Sequence, residues 1–294
     1  MQRPRWSLRR ARLLMGTRFV LVAGLFAFIL IALAVELVGD LDHTVRLNTL
    51  VAAGMACVPA VFWLAFFYLM DRHEKEPKQL VAGVCVLGAL VAAPLSDFVQ
   101  YQAVPPVALE VHGLAALSLD RVVYAVCIVG LTQEMCKYAA VRYTIYLSRE
   151  FNEPMDGIVY MMACGTGFAV WVNYHRLSDA NAVHLSTGAA RAVITTLAHA
   201  SFAGALGYVM GRAKFSRRSA PVRGTLLMLG LLGAAVLNGG FALVEHWFIQ
   251  RQTGFEDQPW RGVGYAALVA AGMFTLIWLL TQRLLAASPF RRDP

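Results

Sequence analysis

The apolar residues of this chain are gathered into blocks of about 20, and this grouping constrains the fold more than any other feature. A helix of about 20 apolar residues crosses a hydrocarbon core roughly 30 Å thick. The blocks lie at about 19–38, 48–70, 79–101, 121–147, 156–177, 190–211, 224–249 and 262–284. The sequence therefore predicts an all-α integral membrane protein, a bundle of about eight transmembrane helices.

The overall composition excludes disorder and most soluble enzymes of this length. Hydrophobic residues make up 58% of the chain and charged residues 15%, whereas an average soluble domain carries about 25% charged residues. The five cysteines all lie within the apolar blocks and show no CxxC spacing. These positions are typical of cysteines that serve as small buried apolar residues. They indicate neither a redox compartment nor a zinc site.

The net charge of +8 comes from Lys and Arg residues in the short segments beside the apolar blocks. With the N-terminus placed inside, cytoplasmic segments hold about three times as many of these residues as the outer loops do, which is the usual membrane asymmetry. We therefore expect both termini to be cytoplasmic. Because the basic residues follow this topology, we do not expect nucleic acid as a partner.

A single polytopic membrane domain is expected over 19–286, between a basic cytoplasmic tail at 1–18 and a cytoplasmic tail at 287–294. The first apolar block has a second interpretation, because Ala32-Leu33-Ala34 has the small residues of a signal-peptide cleavage site. The block continues past that point to Val38, which favours a retained span. The expected partners are membrane lipids and a transmembrane protein substrate or partner, with the oligomeric state left open.

Ionisable side chains inside a membrane are costly, so they usually face the bundle interior, a partner or water. Glu134 lies near the centre of the fourth block, and Lys137 follows three residues later on the same helix face. His199, Asn173 and Asn238 lie within the sixth, fifth and seventh blocks. A rise of 1.5 Å per residue places the glutamate, the histidine and both asparagines in the middle or outer half of the membrane. Four helices can therefore meet around one polar cavity.

These polar residues allow more than one interpretation. Glu134 and Lys137 can form an internal ion pair whose attraction offsets the free-energy cost of burying the two charges. Alternatively, Glu134 is a carboxylate held by a cation and used as a general base or a metal ligand. His199 by itself is typical of a buried interhelical hydrogen bond, since small neighbours allow another helix to approach.

Four ordered segments also carry a family resemblance: FYLMDRHEKEP at 67–77, QEMCK at 133–137, EPMDGIVY through GFAVWVN at 153–173, and HASFAGALGY at 199–208. With these segments the chain resembles the PrsW-type intramembrane proteases, which are distantly related to the CAAX-processing membrane proteases. The resemblance covers about 66–250. It implies an endopeptidase that cleaves membrane-anchored proteins in the cytoplasmic membrane of a bacterium.

The active-site motifs are degenerate relative to the family pattern. Gln133 stands where the family has the first of two glutamates, Val172 stands where it has another glutamate, and Asn238 stands at a late histidine. Of the residues that the resemblance implies for activating water or binding a metal, Glu134 and His199 remain. Zinc is the metal that this resemblance suggests, and catalytic zinc normally takes three protein ligands and a water.

Two arrangements of catalytic groups follow from the resemblance. In a metal-independent site, Glu134 deprotonates water and His199 orients or protonates the reacting groups. Asn173 or Asn238 then stabilises the oxyanion. In a shifted metal site, His175 and Glu245 join His199, because each lies on nearly the same helix face as a residue that the family uses.

Two alternatives to an active protease remain. If the family's first glutamate is the base, Gln133 abolishes the activity, because an amide does not accept a proton at neutral pH. The chain would then be a pseudoprotease that binds or regulates a membrane partner. The other alternative is a small transporter that uses Asp97, Glu134 and Lys137 along a polar path.

Overall fold

The computed structural model describes residues 5–39, 46–69, 76–103, 119–179, 184–244 and 259–287. Over these ranges the chain is helical and contains no strand, which confirms the all-α prediction. Eight continuous helices are present in the described residues: α1 (Arg5–Val38), α2 (Thr49–Tyr68), α3 (Lys78–Ala103), α4 (119–143), α5 (Pro154–Ser178), α6 (Leu185–Lys214), α7 (Ala220–Val244) and α8 (Pro259–Ala287). Each of them corresponds to one of the predicted apolar blocks.

Six of these helices are long and apolar enough to cross a membrane: α1 from Gly16, α2, α3, α5, α6 and α7. This confirms a multi-pass membrane protein. The two predicted spans outside that set are α4 and α8. Helix α4 carries five charged residues along its length, and two of them belong to the candidate site. The orientation of the termini stays a prediction.

Helices α5 and α6 form the centre of the bundle. They are the most thoroughly buried spans; α2 and α3 pack against α5, and α7 and α8 pack against α6. Glycines allow the two central helices to touch backbone to backbone. A Cβ atom at Gly157 would overlap the backbone of Gly207 and Gly211, and one at Gly165 would overlap the His199 carbonyl. Small residues of this kind are what close helix packing in membranes requires.

Two π-helical segments interrupt the outer helices where they approach other backbones. One covers Gly88–Ala92 in α3, and the other covers Tyr124–Gly130 in α4. A Cβ at Gly88 would overlap the Cys164 carbonyl of α5, and one at Gly130 would overlap the Ala235 carbonyl of α7. Short π-helical segments often occur beside functional sites. The segment in α4 ends three residues before Gln133.

The start of α5 is fixed by side chains that also hold a neighbouring segment. Glu153 and Asp156 form a capping box around the first turn. One turn further along α5, the hydroxyl of Tyr160 donates a hydrogen bond to the buried carboxylate of Glu76. The motif at 67–77 therefore meets the motif at 153–173, although residues 70–75 of the first lie outside the described residues.

Candidate active site

Glu134 and Lys137 form a fully buried ion pair on α4. The ammonium nitrogen of Lys137 lies 2.6 Å from Oε1 of Glu134, and neither side chain has any exposed surface. A spacing of three residues places the two side chains on one helix face, as the sequence predicted. A buried pair of this kind is strongly destabilised when either partner is removed, because the remaining charge is left uncompensated.

Asn238 brings α7 into the same cluster. Its Nδ2 donates hydrogen bonds to Oε1 of Glu134 at 2.8 Å and to Oε1 of Gln133 at 3.0 Å. The next residue, Gly239, makes this possible, since a Cβ there would overlap the Ala125 carbonyl in the π-helical segment of α4. The Leu-Asn-Gly-Gly sequence of α7 therefore supplies both the hydrogen-bonding amide and the close backbone contact that positions it.

His199 reaches the cluster from α6. Its Nδ1 lies 3.2 Å from the Lys137 ammonium nitrogen. An ammonium group can only donate, so Nδ1 accepts and the neutral imidazole carries its proton on Nε2. The ring of Phe168 on α5 covers the group, with its centroid 4.4 Å from the Lys137 nitrogen and 5.3 Å from the His199 ring. This is a cation–π contact between buried side chains.

The structure thus brings four of the predicted site residues together from three helices: Glu134, Lys137, His199 and Asn238. Among the described residues, the hydrogen bonds of Asn173 go to other groups. Its Nδ2 donates to the Ala192 carbonyl and to the Thr196 hydroxyl, each at 3.1 Å, and thereby ties α5 to α6. The amide of Asn173 is committed to this interhelical contact.

Of the candidates for a shifted metal site, the structure describes His175 and His199, and the two side chains contact different residues. The side chain of His175 is 42% exposed and lies 3.3 Å from the Asp179 carboxylate, with its ring against Trp171. Glu245 lies outside the described residues. Asp97, the transporter candidate on α3, accepts a 2.6 Å hydrogen bond from the Trp171 indole and is exposed.

Sequence reasoning missed the groups of α5 that enclose Lys137. Besides the Phe168 ring, the thiol of Cys164 lies 3.8 Å from the Lys137 carbonyl and is buried. Cys164 and Phe168 are four residues apart and therefore share one helix face. That spacing was visible in the sequence, but nothing in it showed that this face of α5 would meet α4.

The described residues do not fit a catalytic zinc ion. Among them there is no group of three His, Cys, Asp or Glu side chains that could hold a metal. The cluster offers one carboxylate and one imidazole, and Lys137 lies against both of them. The remaining polar groups are the amides of Gln133 and Asn238, and carboxamides are not among the ligands that zinc sites normally use.

A multi-pass helical bundle with a buried carboxylate, ammonium and imidazole at the meeting point of its helices defines a membrane protein with an ionisable centre inside the membrane. A family model described as PrsW family intramembrane metalloprotease matches residues 76–254, which is more than half of the chain. The chain belongs to the PrsW family. The match covers α3 to α7, and these helices include every residue of the buried cluster.

Curated relatives agree with the family match. The chain is 35% identical to "Protease PrsW" of Geobacillus kaustophilus over 168 residues, which is 57% of this chain and 68% of the relative. It is 28% identical to "Protease PrsW" of Bacillus subtilis over 195 residues, 66% of this chain and 82% of the relative. No solved structure matches the chain. With the apolar helices, these bacterial relatives confirm the resemblance and the assignment to the bacterial cytoplasmic membrane.

Proposed function

We propose that this chain is an intramembrane endopeptidase in which Glu134 is the general base. The observation that carries the proposal is the unequal environment of the two carboxylate oxygens. Oε1 accepts from Lys137 and Asn238, whereas the buried Oε2 has no hydrogen-bond partner among the described residues. A carboxylate fixed through one oxygen presents the other in a defined direction, as a general base must.

The proposed reaction uses water as the nucleophile. A water molecule on Oε2 of Glu134 gives its proton to that oxygen as the hydroxide oxygen attacks the carbonyl carbon of the peptide bond. The resulting tetrahedral intermediate loses the amine as the C–N bond breaks, and the same proton passes from Glu134 to the leaving nitrogen. In this mechanism His199, with its proton on Nε2, orients the water or the oxyanion.

Asn238 is the better candidate of the two asparagines for stabilising the oxyanion. Its Nδ2 already lies 2.8 Å from the base, and exchanging its hydrogen bond to Gln133 would direct one N–H toward the substrate. Lys137 compensates the charge of Glu134 and holds it in place. An uncompensated carboxylate would be very costly in this dry environment.

In this proposal the buried cluster corresponds to a closed form of the enzyme. Glu134 and Lys137 are fully enclosed and His199 is 4% exposed, so a substrate reaches them only after the surrounding helices separate. The substrate must also unwind locally, because a helical peptide bond in lipid keeps its carbonyl in an internal hydrogen bond. A membrane-anchored protein with a helix-breaking sequence near its cleavage point is the substrate class that suits this site.

One observation favours a second candidate, a non-catalytic member of the family. Lys137 lies between Glu134 and His199 and contacts both of them, and Val172 packs against the hydrophobic core. If Lys137 always stays in contact with Glu134 and His199, these two groups do not reach a substrate. The chain then binds a membrane partner without cleaving it.

The two candidates are distinguished by the protein termini that the chain generates in cells. Membrane and secreted fractions are compared between cells with the wild type and cells with the Glu134→Gln, His199→Ala double variant, using quantitative terminal-peptide mass spectrometry. New termini inside or beside transmembrane segments that require the wild type support the endopeptidase. Equal termini at equal expression support the non-catalytic candidate, and co-purification of a membrane partner then becomes the next experiment.

A further inference from the structure

Two residues that depart from the family's motifs are hydrogen-bonded to each other. Gln133 on α4 and Asn238 on α7 are 105 positions apart, and the amide nitrogen of Asn238 lies 3.0 Å from the amide oxygen of Gln133. Both side chains are buried, with 9% and 2% exposed. The two departures are therefore one local feature of the site, a neutral amide pair beside Glu134.

The charges of the cluster balance without an added ion. Glu134 supplies one negative charge and Lys137 supplies one positive charge, and the two groups are 2.6 Å apart. The Gln133 and Asn238 amides add none. A carboxylate at position 133 would add a second negative charge in a buried place, which requires another cation.

Lys137 also makes the contacts that a bound cation would make here. Its ammonium lies against the Glu134 carboxylate, against Nδ1 of His199 at 3.2 Å and over the face of Phe168 at 4.4 Å. A lysine ammonium is a compact point charge with three donors, so one group satisfies the carboxylate and the imidazole together.

We infer that Lys137 is the built-in cation of this site, and that Gln133 and Asn238 are a coupled neutral pair that keeps the site balanced without a divalent metal. The inference goes beyond the proposed endopeptidase, because it applies equally to a non-catalytic protein. Its central consequence is that the two amides depend on each other. Changing one of them alone disturbs the balance, whereas a carboxylate and an imidazole introduced together create a donor set that zinc can bind.

The experiment measures zinc and thermal stability on the purified full-length chain in detergent. The wild type, Gln133→Glu, Asn238→His and the double variant are incubated with zinc chloride, freed of excess metal and measured for bound zinc and for Tm. The control variant combines Gln133→Glu with Asn173→His. Asn173 is also a buried amide, but its hydrogen bond joins α5 to Thr196 of α6 and does not involve Gln133. None of these readouts depends on protease activity.

We expect the wild type to hold no stoichiometric zinc and to keep the same Tm with and without it. Each single variant has a lower Tm. The Gln133→Glu, Asn238→His variant holds about one zinc per chain and recovers its Tm only when zinc is present, and a further His199→Ala change removes both effects. The control pair shows neither effect.

Two results overturn the inference. One is a wild-type chain that holds one zinc and loses it on His199→Ala. The other is a folded double variant whose two changes simply add in Tm, with or without zinc.

If the double variant does not fold, Lys137→Gln and Lys137→Arg decide the question. Lys137→Gln, which lacks the built-in cation, should have a lower Tm than Lys137→Arg, because arginine keeps the charge beside the buried Glu134 carboxylate. Equal Tm values for the two variants overturn the inference.

Discussion

The ammonium of Lys137 and the carboxylate of Glu134 lie 2.6 Å apart with no exposed surface, on one face of α4, which packs against α5, α6 and α7. Removing one charge leaves the other buried and unpaired, whereas removing both leaves a neutral site. We therefore expect Lys137→Met to lower the free energy of unfolding by about 3–5 kcal/mol. The Glu134→Gln, Lys137→Met double variant should lose clearly less than the sum of the two single variants.

This coupling is measured with a double-mutant cycle on the purified chain, unfolded reversibly in mixed micelles. Additive effects would contradict a paired role for the two side chains. Glu150→Gln provides the control, since Glu150 is exposed and the same chemical change there should alter the free energy of unfolding by less than about 0.5 kcal/mol.

The position of Asn238 depends on the glycine that follows it. A Cβ at Gly239 would overlap the Ala125 carbonyl, whereas one at Gly240 meets nothing within 4 Å. We expect Gly239→Ala to push α7 away from α4, to separate Asn238 from Glu134 and to abolish most of the cleavage. Gly240→Ala should leave cleavage at the wild-type rate. Equal rates for the two variants would show that the α4–α7 contact does not position the site.

The contact between α5 and α6 gives a prediction about stability that does not involve catalysis. A Cβ at Gly157 would overlap backbone atoms of Gly207 and Gly211, whereas one at Gly233 meets nothing within 4 Å. Gly157→Ala should lower the free energy of unfolding by about 1–3 kcal/mol through overpacking. Gly233→Ala should raise it by up to about 1 kcal/mol through helix propensity. Thermal unfolding of both variants in detergent checks the two signs.

The charge asymmetry of the loops predicts that residues 1–18 and 287–294 are both cytoplasmic. Fusions of a periplasm-active phosphatase and a cytoplasm-fluorescent protein to each end would test this. Fluorescence without phosphatase activity at both ends is expected. Phosphatase activity at either end would require an odd number of spans or the opposite orientation.

The sequence predicted the eight helices well because each apolar block is long enough for a continuous helix, and six of them are also long and apolar enough to cross a membrane. It also predicted the face that Glu134 and Lys137 share, since that depends only on the geometry of one helix. The depth estimate predicted that Glu134, His199, Asn173 and Asn238 meet around one cavity; His199 and Asn238 do join the Glu134 cluster, whereas Asn173 is hydrogen-bonded to Ala192 and Thr196 instead. These are properties of single helices and of their register in the membrane.

Contacts that depend on how closely two helices approach could not be predicted. The π-helical segment at Tyr124–Gly130 changes the phase of α4 just before Gln133, so a count at 3.6 residues per turn misplaces the side chains around it. The contact of Phe168 with Lys137 depends on the meeting of α4 and α5, and the commitment of Asn173 to Thr196 depends on the glycine contacts between α5 and α6. The local sequence predicts neither contact.

Whether Glu134 activates water is tested by comparing Glu134→Gln with Glu150→Gln on the same substrate. The purified chains are placed in lipid vesicles with a membrane-anchored protein whose wild-type cleavage point has been mapped, and the initial rate is measured at equal amounts of folded protein. We expect Glu134→Gln to lower the initial rate by at least about 100-fold, the effect of removing a general base, and Glu150→Gln to leave it unchanged. Cleavage by Glu134→Gln at the wild-type rate would show that Glu134 is not the base.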